Sequence, residues 1–171
     1  MSSSAAYCRL RISLHWISAA IILWALITGT LVTLFDESSK LKAAIAEFNV
    51  SLTLIFIPVF IVRLCLAVAR ATSLARQLHT VQEWAACLVH GLIYLVTAVV
   101  LISGVLMMPY PFGVFGMLQF DPWLSDPQWQ RFFFRLHIWS CAGLAVLLGL
   151  HVAAVIKHQL AGYPVIRRMW L

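Results

Sequence analysis

The stretch RLHIWSCAGLAVLLGLHVAAVIKH, Arg135 to His158, is almost wholly apolar, yet it carries His137, His151 and His158. A run of this length exceeds the ~20 residues that a helix needs to cross a bilayer. His137 and His151 stand 14 residues apart. At 3.6 residues per turn this offset is within about 40° of whole turns, so both lie on one helix face, about 21 Å apart along the axis. His158 follows seven residues later and stays on that face. Ionisable groups inside a span are costly, and they usually face a bundle interior with a partner.

The rest of the chain sets that stretch in a membrane. Of its 171 residues, 63% are hydrophobic and 11% charged. Soluble domains carry about 25% charged residues, so the composition points to lipid. Four apolar runs, 12–34, 48–69, 84–108 and 132–156, are each long enough to span. The expected architecture is an all-α, four-transmembrane-helix bundle forming one domain over residues 1–171. The first run is too long for a signal-peptide core and has no small-residue cleavage site after it, so it reads as a retained helix. Cys8, Cys65, Cys87 and Cys141 are scattered without CxxC or CxxCH spacing, which excludes a cysteine-based zinc site, covalent haem attachment and a disulfide framework. They read as small packing residues. Pro58 predicts a kink in the second helix.

Four spans place both termini on one side. That side collects Arg9, Arg11, Arg70, Arg76, Lys157, Arg167 and Arg168, with Arg63 two turns inside the second helix; the other has Lys40, Lys42, Arg131 and Arg135. The positive-inside rule then puts the termini and the loop 70–83 in the cytoplasm. The net charge of +6 is accounted for by this orientation and needs no nucleic acid. Residues 35–47 and 109–131 form the outer loops; Trp123 and Trp129 suit a segment lying on the membrane surface.

Two histidines on one stripe, separated by most of the hydrocarbon thickness, suit axial haem ligation in the dry slot of a bundle. A single one would read as an interhelical hydrogen bond. A second imidazole must reach the opposite face of the ring. For His151 the candidates by depth are His15 in helix one and His90 in helix three, and spacing does not choose between them. For His137 no histidine stands at its own height in any other helix; helix two offers Asn49 and Ser51 there.

The segments RLRISLHW, FIVRL and VHGLIYL, the HX13H of helix four, the KH after it and the final VIRRM together resemble the bacterial cytochrome b561 family over roughly residues 7–170. The resemblance implies a small inner-membrane b-type cytochrome with His15 and His151 clamping a haem b on the cytoplasmic side. It implies a second haem near the periplasm, held by His137 and a helix-two histidine. That histidine position falls on Asn49 here. An outer haem is then absent, five-coordinate on His137 and open to small ligands, or held by a weak sixth ligand. In the absence of haem, His137 would hydrogen-bond across helices, with Asn49 as one partner.

The resemblance also points to ubiquinone as the membrane partner, near the inner end of helix four. Lys157, His158 and His90 are the candidates for the quinone site, though the first two also suit an interfacial helix end. Electron transfer linked to the quinone pool is the leading expectation. A haem-binding anchor subunit for a partner redox enzyme is the reading from a different class, and a haemless bundle with structural histidines is a third. Some family members oxidise superoxide and pass the electron to ubiquinone. The outer loops carry four basic and five acidic residues, so they form no positive funnel for an anion, apart from Arg131 and Arg135 one turn apart. That pair also reads as boundary residues snorkelling to the headgroups. His79 reads as solvated. Nothing in the chain specifies the redox donor, and a homodimer is compatible with it.

Overall fold

Residues 2–36, 39–75 and 80–162 are described by the computed structural model. Arg76, His79, Arg167 and Arg168 lie outside them, as does the VIRRM segment. The chain builds α1 (Ser2–Leu31) with a 3-10 turn (Val32–Leu34), α2 (Lys40–Ala75) and α3 (Val81–Leu106). A short hairpin of β1 (Phe112–Val114) and β2 (Leu118–Phe120) precedes α4 (Pro127–Leu160). Four helices are long and apolar enough to cross a membrane, over Arg9–Leu34, Lys40–Arg70, Val81–Leu106 and Pro127–Leu160.

α2 and α4 outrun their apolar runs at both ends, because backbone hydrogen bonding continues into polar flanks, whereas α1 and α3 start earlier but end at Leu31 and Leu106, short of 34 and 108. The first outer loop is therefore shorter than 35–47, since Lys40 already begins α2. Local capping sets two other starts. The Thr80 hydroxyl accepts from the Glu83 N–H while the Glu83 carboxylate accepts from the Thr80 N–H, a reciprocal pair that satisfies two otherwise orphaned donors at the start of α3. The Asp126 carboxylate accepts from Gln128 N–H at 2.7 Å, and Pro127 occupies the first turn of α4, where a missing N–H costs nothing. Pro58 lies inside α2, which continues to Ala75.

The segment expected only to lie on the membrane surface also folds back onto the bundle. β1 and β2 pair antiparallel, with Phe112 opposite Phe120 and Val114 opposite Leu118. The two turn residues, Phe115 and Gly116, both have positive φ, 47° and 72°. They are the central residues of a tight turn closed by the Met117 N–H donating to the Val114 carbonyl at 2.9 Å, within a three-residue connection, 115–117. Phe115 takes a conformation that L-residues disfavour. Ser51 holds it there: its hydroxyl accepts from the Phe115 N–H at 3.0 Å and donates to the Gly113 carbonyl at 3.1 Å. Ser51 is fully buried, so the hairpin is pinned to α2 at the loop end of the bundle.

Packing divides the helices into two pairs. α1 runs along α2 and α3 along α4, α2 touches α3 over a short stretch, and α1 barely meets α4 among the described residues. The core between α2 and α3 is apolar at Phe56, Phe60 and Leu101, which are buried, with Ile21 and Ile22 of α1 and Tyr94 against them. Few other side chains are buried, as befits a chain whose outer surface faces lipid. Two of the buried hydroxyls return to their own helices, Ser18 to the Leu14 carbonyl at 2.7 Å and Thr28 to that of Trp24 at 2.7 Å. In hydrocarbon such local bonds satisfy groups that water cannot reach.

Candidate functional site

One residue from each helix converges on the half of the bundle nearer the termini. His15 (α1), Arg63 (α2), His90 (α3) and His151 (α4) lie within electrostatic range of one another. Arg63 Nη2 donates to His15 Nδ1 at 2.9 Å, and Arg63 Nε donates to the Tyr94 hydroxyl at 3.1 Å. The guanidinium also sits 5.4 Å from the centre of the Tyr94 ring, a cation–π geometry. A guanidinium has donors only, so His15 Nδ1 is the acceptor and the ring is fixed by that contact. Arg63 was read from the sequence only as part of a motif and as a charge; its grip on His15 went unseen. Its position two turns inside an apolar helix was the signal, since a buried guanidinium requires partners.

His90 and His151 meet edge to face with ring centres 4.9 Å apart. His90 Nδ1 donates to the Ala86 carbonyl of its own helix at 2.7 Å. Two imidazoles on opposite sides of one metal, each bonded at ~2 Å, would hold their ring centres on the order of 6 Å apart. His90 and His151 are closer than that, so no macrocycle fits between them. Among the described residues, neither nitrogen of His151 has a hydrogen-bond partner, and the same holds for Nε2 of His15.

Among the described residues His151 on α4 offers unbonded ring nitrogens, whereas His15 on α1 accepts from Arg63 at Nδ1, which puts its ring proton on Nε2, so His15 would bind a haem iron only on giving up that bond. His15 and His151 would hold the haem. Of the groups considered for a quinone, His90 belongs to this cluster through His151, whereas Lys157 and His158 lie exposed in the last turns of α4.

The loop end differs. His137 donates from Nδ1 to the Val100 carbonyl of α3 at 3.0 Å, with the Ser103 hydroxyl at 3.4 Å from the same nitrogen. Its Nε2 lies 3.5 Å from Cys141 Sγ. Gly104 makes room for the ring: a Cβ there would stand 3.2 Å from His137 Cε1. Asn49 turns to α1 instead, its Oδ1 accepting from Trp24 Nε1 at 3.2 Å and Thr28 Oγ1 at 2.9 Å. The cross-helix bond expected of His137 goes to α3, and Asn49 bonds α1 instead. Arg131 and Arg135 are exposed at the start of α4.

Compared with known families, the chain matches the prokaryotic cytochrome b561 model over residues 6–171. No curated protein matches it.

Proposed function

The chain belongs to the prokaryotic cytochrome b561 family of multi-pass inner-membrane b-type cytochromes, and we propose that it transfers electrons through a haem b held by His15 and His151. The observation that carries this reading is the convergence of His15 on α1 and His151 on α4 within electrostatic range of each other, with both ring nitrogens of His151 unbonded among the described residues. Haem supplies the one-electron chemistry of iron, tuned by its ligands and by an apolar surround. The protein's own contribution is positional. Tyr94 holds Arg63, and Arg63 holds the His15 ring through Nδ1, a bond that His15 would exchange for the iron when the haem binds. His90 packs against the His151 ring and limits its rotation.

The electron partner in this reading is ubiquinone, and Lys157 and His158 at the termini end of α4 are its candidate contacts, both able to donate a hydrogen bond. Basic residues concentrated at that end support a cytoplasmic placement of the termini. The test is an optical one. Detergent-purified protein should show the reduced-minus-oxidised spectrum of a bis-imidazole b haem, a ubiquinol analogue should reduce it, and His151→Ala should abolish the signal. A protein that purifies colourless from haem-supplemented cells rules the reading out. Rapid quinol-linked turnover by the isolated chain would sink the anchor-subunit alternative; a redox enzyme co-purifying in equal amounts, with no turnover without it, would favour it.

A further inference from the structure

We propose that Arg63 is the counter-ion of a haem carboxylate: when His15 and His151 hold haem b, the guanidinium leaves His15 Nδ1 and pairs with one of the haem's propionates. The proposal rests on the His15–His151 reading and adds the residue that recognises the acid side chains of the ligand.

Arg63 stands seven residues inside the end of the span Lys40–Arg70, about 10 Å along the axis. Its side chain is half-buried, and its charge is permanent. A charge at that depth is costly and calls for a partner of opposite sign. Among the described residues no carboxylate stands at that height. Glu83 lies in the first turn of α3, where its carboxylate accepts from the Thr80 N–H at 2.9 Å. That is eleven residues before Tyr94, the α3 residue that Arg63 bonds, or about 16 Å along the axis. The other acids, Asp36, Glu37, Glu47, Asp121 and Asp126, flank the loop end in sequence. Around Arg63 stand His15, His90 and His151 instead, with the Tyr94 hydroxyl. The site holds a positive charge, three imidazoles and no anion, which suits a ligand that brings negative charge with it.

A guanidinium has five N–H donors in a fixed fork. Two are used here, Nε on the Tyr94 hydroxyl at 3.1 Å and Nη2 on His15 Nδ1 at 2.9 Å. The other three have no acceptor among the described residues. Haem binding removes the bond to His15. For Nε2 to take the iron, the ring proton moves from Nε2 to Nδ1, with no net gain or loss, and Nδ1 then meets the fork as a donor. Arg63 would be left with four unpaired N–H groups beside a ligand that carries carboxylates. A carboxylate accepts two parallel bonds from a guanidinium, so one such pair answers both needs. The Tyr94 contacts run through Nε and through the ring face, 5.4 Å from its centre. They hold the guanidinium while its Nη atoms change partner.

The test compares haem b with its dimethyl ester, which keeps the iron and the ring but has no carboxylate. Haem-depleted, full-length chain in detergent is titrated with each, and the bis-imidazole band that His151→Ala loses is followed. The quantity read is the ratio of the two dissociation constants, ester over haem, in wild type and in Arg63→Gln. Comparing ratios cancels the ester's own preference for detergent and any general loss of haem affinity. The ratio should fall roughly ten- to a hundredfold in Arg63→Gln, the size of a hydrogen bond to a charged group. Arg63→Met, apolar and of similar length, serves if Arg63→Gln does not accumulate. An unchanged ratio overturns the proposal and leaves the His15–His151 reading standing; it is the result expected if a lipid phosphate is the counter-ion. A wild type that gives no bis-imidazole band, or a band that survives His151→Ala, overturns that reading and the proposal with it.

Discussion

Arg63 carries most of the information that single side chains add here. Its charge is permanent, and it bonds the ring proposed to hold the haem. A positive charge near a redox centre favours the reduced state, more strongly in an apolar surround than in water. Arg63→Gln should therefore lower the haem midpoint potential, on the order of tens of millivolts, and weaken haem retention; an optical redox titration reads the first and haem content the second. An unchanged potential would reduce Arg63 to a helix-packing role. Gly104 is a second such position. A Cβ there sits within 3.2 Å of the His137 ring, and a branched side chain would overfill the groove, at about 1–3 kcal/mol. Gly104→Val should lower the midpoint of thermal unfolding in detergent. His15, His151 and His137 were legible as residues that an apolar helix must have a reason to keep. Their partners were not, because a hydrogen bond between helices depends on rotation and tilt, which spacing along one helix does not contain.

Among the elements, the hairpin was the least expected. Its sequence, FGVFGMLQF, has a glycine at the turn, but the other turn residue is Phe115, a poor choice for positive φ. The local rule fails because the conformation is enforced from outside, by Ser51 on α2. Ser51→Ala removes one donor and one acceptor from a fully buried site. It should cost about 1–3 kcal/mol and release the 109–126 segment, seen as faster cleavage there by added protease while the helices persist. Equal cleavage rates would show that the strand pairing holds the hairpin without help from α2. The helices were legible from hydropathy alone, and their ends less so. Capping by Thr80 and Asp126 lies in the polar flanks, outside the apolar runs that reveal a span.

The whole bundle is two tight helix pairs with little contact between α1 and α4. A ligand that fills this space binds the folded state alone and stabilises it by mass action, by about 4 kcal/mol when present at a thousand times its dissociation constant. Haem-depleted protein should accordingly melt at a lower temperature than the holoprotein, and adding haem should restore the midpoint in wild type but not in His151→Ala. Equal melting of both forms would argue that the α1–α4 space is filled by lipid or side chains instead.

The chain's composition and periodicity determined that it enters a membrane, that it crosses four times, and that helix four carries a histidine stripe, because hydrocarbon forbids unpaired backbone and tolerates few ionisable groups. The motif set pointed to the b561 family. Tertiary structure alone decided which imidazoles face each other. The His90 and His151 rings are in contact, Asn49 spends its oxygen on α1 and His137 turns to α3. Those choices follow from which helices pack closely and which stand apart, and close packing is set by side chains distant in sequence that meet only in the folded bundle.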